Sequence, residues 1–252
     1  AMTKNTSGSW STGIGYQALY NNTTGTDNTA TGYRALYKNT TGLYNTATGV
    51  SALYNNTSGI YNTAIGLEAL RSNTIGTANT ATGLQALYSN TSGESNTANG
   101  VAALFSVTTG SYNTAHGVKA LYSSITGSNN VAIGGYYTMY ANTTGSNNVA
   151  IGRDAMKWNT TGGLQTAIGV YALDASTTGA SQGNTAVGYN ALYNNEDSVN
   201  NTAVGYQTLR ENTTGDYNTG LGLQALMRNT TGEYNTGLGA GALLDNTTGT
   251  NN

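Results

Sequence analysis

A seventeen-residue period runs through this chain and limits what it can fold into. The glycine closing each N-T-A-x-G recurs at Gly15, Gly32, Gly49, Gly66, Gly83, Gly100, Gly117 and Gly134, every step being 17 residues. It continues at Gly152, Gly169, Gly188, Gly205, Gly222 and Gly239, with steps of 18, 17, 19, 17, 17 and 17. A fixed period of this length predicts coils that each pack on the next. The expected fold is all-β: a parallel β-solenoid, or β-roll, of about fourteen 17-residue coils. Residues 1–252 read as a single repeat domain, with Ala1-Met2 as a cloning remnant and both ends cut within the array.

One coil is described by its offset from the key glycine, taken as zero. Offset −2 is Ala in eleven coils and Gly in three (Gly13, Gly220 and Gly237). Offset +3 is Ala except at Thr138 and Thr208, and +4 is Leu except at Met139 and Met156. (One extra residue after Gly134 shifts that coil's offsets by one.) Small residues kept this strictly predict close approach, and Leu is the one large apolar group in every coil. The short run from −4 to 0, Asn-Thr-Ala-Ile-Gly, favours strand. Asn-Thr-Thr-Gly at +7 to +10 is turn chemistry. Between them, Y-x-A-L-Y is compatible with a second strand or one helical turn. Two strands and two turns per coil are preferred, because seventeen residues is shorter than a leucine-rich repeat. Stacking then lines up Asn28, Asn45, Asn62, Asn79 and Asn96 in one ladder, and Asn22, Asn39, Asn56, Asn73 and Asn90 in another.

The core of a lone coil looks thin. Ordering each residue costs ~1–2 kcal/mol of backbone entropy, whereas one buried Leu contributes ~2–3 kcal/mol. Ile65, Ile133, Ile151, Ile168, Val187 and Val204 at offset −1 are expected to add burial. A second face covered by other chains would make up the rest.

Asn130-Val131-Ala132-Ile133-Gly134 and Asn148-Val149-Ala150-Ile151-Gly152 resemble the N-S-V-A-I-G motif of trimeric autotransporter adhesin heads, the YadA-like left-handed β-roll. The whole unit is also similar to repeats of phage and bacterial tail-fibre-type proteins, over nearly all of the chain. The adhesin heads use shorter coils. The resemblance implies a homotrimer, a rigid extracellular segment on a cell surface or virion tail fibre, and adhesion to a glycan or protein receptor.

Composition excludes other classes. Net charge is −2 with only 8% charged residues and no Lys/Arg cluster, which argues against nucleic acid as partner. No apolar run approaches the ~18 residues of a membrane span, so no membrane insertion of this segment is expected. Cysteine is absent, His116 is the only histidine, and Glu68, Glu94, Asp154, Asp174, Asp216 and Glu233 are scattered about one per coil. No nucleophile elbow, P-loop or dinucleotide fingerprint occurs. The expectation is no enzyme activity, no cofactor and no metal.

Two features point to binding. The chain has 19 tyrosines, of which Tyr20, Tyr37, Tyr54, Tyr88, Tyr122 and Tyr193 share +5, while Tyr44, Tyr61, Tyr112, Tyr217 and Tyr234 share +12. Such columns suit sugar faces or protein receptors, or the rings cover the coil by stacking on one another. The rhythm breaks at Ala180-Ser181-Gln182-Gly183 and at Glu196-Asp197-Ser198. Tyr193, Gln182, Glu196 and Asp197 are therefore the candidate ligand-binding residues. A different reading is an ice-binding solenoid, motivated by Thr29/Thr31, Thr46/Thr48 and Thr80/Thr82.

Overall fold

The computed structural model describes residues 2–175 and 182–252. The chain is an all-β parallel solenoid of fourteen short strands, one per coil, with no helix among the described residues. It divides into two compact units, Ala1–Thr126 and Gly127–Asn252.

The first unit holds β1 (Thr12–Ile14), β2 (Thr29–Thr31), β3 (Thr46–Thr48), β4 (Thr63–Ile65), β5 (Thr80–Thr82), β6 (Thr97–Asn99) and β7 (Thr114–Val118). Each pairs with the next in parallel, and like positions face each other: Thr46 opposes Thr63, Ala47 opposes Ala64, and Thr48 opposes Ile65. The second unit holds β8 (Val131–Tyr136), β9 (Val149–Ile151), β10 (Thr166–Ile168), β11 (Thr185–Val187), β12 (Thr202–Val204), β13 (Thr219–Leu221) and β14 (Thr236–Leu238). Its register is equally strict across the two-residue insertion, with Ala167 opposing Ala186.

Only one of the two expected strands forms. The Y-x-A-L-Y segment is a run of turns in which +2 and +4 both take left-handed backbone, as at Arg34 (φ 55°) and Leu36 (φ 51°). The alternation sends successive amides in opposite directions. Arg34 N–H donates to Tyr16 O in the coil before at 2.9 Å, and Leu36 N–H donates to Ala52 O in the coil after at 3.0 Å. Backbone pairing between coils thus continues without a strand. In the following turn, the N–H groups of Thr40, Thr41 and Gly42 all converge on Thr57 O at 3.0–3.2 Å. The glycine at zero is required by geometry. Gly66 has φ +134°, and a Cβ there would collide with the Gly83 carbonyl, so the column admits no side chain.

The core has three parts. The Leu or Met at +4 and the Ala at −2 and +3 are fully buried in almost every coil. The two asparagine columns are also at 0% exposure and carry most of the buried polarity. Asn45 N–H and Nδ2 donate to Asn28 Oδ1 at 3.0 and 3.1 Å, and Nδ2 also donates to Gly59 O at 2.8 Å. Asn56 Nδ2 donates to Asn39 Oδ1 at 2.8 Å and to the same Gly59 carbonyl at 3.0 Å. Both ladders therefore end on one glycine carbonyl and tie the start of each coil to its close. Buried amides satisfied in this way stabilise stacking rather than penalise it.

The expectation that offset −1 adds to the core is corrected. On each strand the central Ala or Gly points in and both neighbours point out, as an alternating strand requires. Ile65 is 43% exposed and Ile168 is 38% exposed.

Candidate functional site

The outward residues form a strand face, made of offsets −3 and −1. Across all fourteen coils these two columns contain no Lys, Arg, Asp or Glu. In the first unit they are largely threonine: both hydroxyls of Thr29/Thr31, Thr46/Thr48 and Thr80/Thr82 lie on the outer side, each pair flanking a buried Ala. Ile14, Ile65, Asn99 and the exposed His116 depart from threonine in the −1 column. In the second unit that column is aliphatic without a break: Ile133, Ile151, Ile168, Val187, Val204, Leu221 and Leu238, all exposed or half-buried.

The coil edge at +5 carries the aromatics. In the first unit Tyr20, Tyr37 and Tyr54 stack at 5.5 and 5.1 Å between ring centres. Arg71 lies between Tyr54 and Tyr88 at 5.6 Å from each ring, and Tyr88, Phe105 and Tyr122 continue the column at 5.0 and 5.1 Å. Ring faces inside this column are occupied by neighbouring rings, so edges and hydroxyls are what it presents to solvent. The rings cover the coil here, which is the second of the two readings of the tyrosine columns. Tyr44–Tyr61 and Tyr217–Tyr234 at +12 pair off in the same manner, at 5.0 Å.

Tyr193 is half-buried at +5 and meets Tyr171 edge-on at 6.2 Å. Glu196 and Asp197 are exposed, and their N–H groups donate to Thr213 O at 3.1 Å. Gln182 is exposed, bridges to Gly163 and accepts from Asn200 N–H at 3.0 Å. Ala180 and Ser181 lie outside the described residues.

Spacing along the chain separates Asp154 from Asp174, yet the fold brings the two carboxylates near each other. Both are almost fully buried, as is Asn190. Lys157 Nζ sits 3.3 Å from Asp154 Oδ1. Asp174 Oδ1 and Asn190 Oδ1 accept no hydrogen bond. Burial pushes the Asp174 carboxyl from 3.8 up to about 6; Lys157 opposes the rise and Asp154 adds to it. Sequence spacing hid this cluster, but two carboxylates at +2 and +5 of successive coils were the available signal.

Below pH 3.8 Asp174 is protonated in both folded and unfolded chains. Between 3.8 and about 6 the unfolded carboxyl ionises first, so stability falls across that window and levels off above it. Asp174→Asn is expected to match the parent near pH 3.5 and to be more stable at pH 7, by on the order of 2 kcal/mol. Melting curves at both pH values check this; equal gains at the two values would contradict it.

No protein-family model and no curated protein matches the chain.

Proposed function

We propose that this chain is a rigid segment of an extracellular fibre or adhesin, on a cell surface or virion, that assembles as a homotrimer and binds a surface receptor through its coil edges. The carrying observation is the unbroken aliphatic column from Ile133 to Leu238, which stays exposed or half-buried in the lone chain. An apolar stripe of this extent, free of charge, is what association surfaces look like. The regular partner for a regular column is another copy in register with it. An Ile168→Asp/Val187→Asp variant is expected to fall to the monomer mass while keeping its circular dichroism. Thr214→Asp, on an exposed turn, should leave the mass unchanged. A double variant that keeps the parent mass would remove the strand face from the interface.

A second reading has its own observation. The paired outward hydroxyls of β2, β3 and β5 form an uncharged threonine array, broken at Ile65 of β4, the kind of surface an ice-binding solenoid would use. Thermal hysteresis of the same sample tests it: none is expected from a fibre segment, and a gap between melting and freezing points would favour ice binding.

A further inference from the structure

Eight asparagines of the +7 ladder column also open the Asn-x-Ser/Thr motif that accepts N-linked glycans. In the first unit Asn22 and Asn39 open Asn-Thr-Thr, and Asn56 and Asn90 open Asn-Thr-Ser. In the second unit Asn142, Asn159, Asn212 and Asn229 open Asn-Thr-Thr. In an exported protein this motif reads as a surface loop open to modification. The fold reverses that reading: all eight side chains are at 0% exposure.

The acceptor atom itself is fully engaged. A side-chain amide has two Nδ2 hydrogens. Asn39 gives one to Asn22 Oδ1 at 2.8 Å and the other to Gly42 O at 3.1 Å. Asn159 divides its pair between Asn142 Oδ1 at 3.0 Å and Gly162 O at 3.1 Å, and Asn229 between Asn212 Oδ1 and Gly232 O, both at 2.9 Å. Glycan transfer needs that same nitrogen. It breaks the bond between the anomeric carbon and the phosphate of a lipid-diphosphate oligosaccharide. It forms a C–N bond to Nδ2 and releases one Nδ2 proton with the lipid diphosphate. A modified asparagine keeps one hydrogen for two buried acceptors and places a sugar in a fully packed site. The hydroxyl residue that completes the motif is not needed for the ladder. At Asn73-Thr74-Ile75 it is missing, yet Asn73 Nδ2 makes both bonds, to Asn56 Oδ1 at 2.8 Å and Gly76 O at 3.1 Å. By contrast Asn200, of Asn200-Asn201-Thr202, is exposed, so a glycan there is compatible with the fold.

We propose that these eight asparagines are glycan acceptors only in the unfolded chain, and that a glycan on any of them and stacking of its coil exclude each other. Folding closes the sites, and modification ahead of folding blocks the coil. The exclusion follows from the ladder alone, so it holds for a monomer and a trimer alike. An array exported past an N-linked transferase must therefore fold before the transferase acts.

Cell-free translation behind a signal peptide, with microsomal membranes, tests this. It is run with and without an acceptor tripeptide that competes for the transferase. Products are sorted by protease resistance, and peptide mapping locates the glycans. Leu87→Asp, which places a charge in the buried leucine column of the first unit, serves as the unfolded control and is expected to carry glycan at Asn22, Asn39, Asn56 and Asn90. Occupancy at those four sites should be lower by about tenfold or more in protease-resistant parent chains. A parent that is protease-sensitive unless transfer is blocked supports the exclusion equally. A protease-resistant chain with glycan on any of the eight asparagines would overturn it. So would a Leu87→Asp chain without glycan at the four first-unit sites, or a parent that stays protease-sensitive when transfer is blocked.

Discussion

Asn62→Ala should destabilise the first unit by roughly 4 kcal/mol or more, beyond what most buried methyl deletions cost. Asn62 is at 0% exposure. Its Nδ2 donates to Asn45 Oδ1 at 3.1 Å and to Gly76 O at 2.8 Å, while its Oδ1 accepts Asn79 N–H at 3.0 Å and Asn79 Nδ2 at 3.1 Å. Truncation removes all four bonds. It strands the Asn79 N–H, which has no other acceptor among the described residues, in a site water does not reach. The side chain that locks the start of its coil to the Gly76 turn is lost with them. Denaturant midpoints of parent and variant measure the difference. A loss below about 1 kcal/mol would mean that the asparagine ladders decorate the stack rather than hold it.

Leu87→Asp should abolish cooperative folding of the unit that contains it. Leu87 is fully buried among the neighbouring leucines of its column, and an aspartate there has neither a cation nor water to compensate its charge. Gln85, two residues earlier, is half-buried at the edge and donates to Glu68 Oε2 at 2.9 Å. Its replacement by Ala should cost less than about 1 kcal/mol. Circular dichroism and thermal melts of both variants check the pair. Similar losses at the two positions would mean that inside and outside are assigned wrongly.

What the sequence made legible was whatever repeats in side-chain chemistry. The period located every strand, and the near-constancy of the columns of Ala30, Leu36 and Asn45 across coils identified the core. What it concealed was backbone. Leu36 and Arg34 take left-handed conformations that favour glycine, so the Y-x-A-L-Y segment gave no turn signal and imitated a strand. Ile168 was legible as apolar, but an apolar residue in a three-residue strand points inward or outward by parity alone, and its neighbour Ala167 takes the inner place. Asp154 and Asp174 stand 20 residues apart in the chain; only the stacking of successive coils reveals that they share one edge. The tyrosine columns were visible, but whether their faces are open depends on ring-to-ring distance, which spacing does not encode.

The central claim is that the exposed aliphatic column of β8 to β14 is covered by other copies of this chain. Light scattering on the purified protein tests it most directly. The account predicts a single species of three times 25.9 kDa, unchanged on dilution through the micromolar range. A folded, heat-stable species of 25.9 kDa under the same conditions would contradict it.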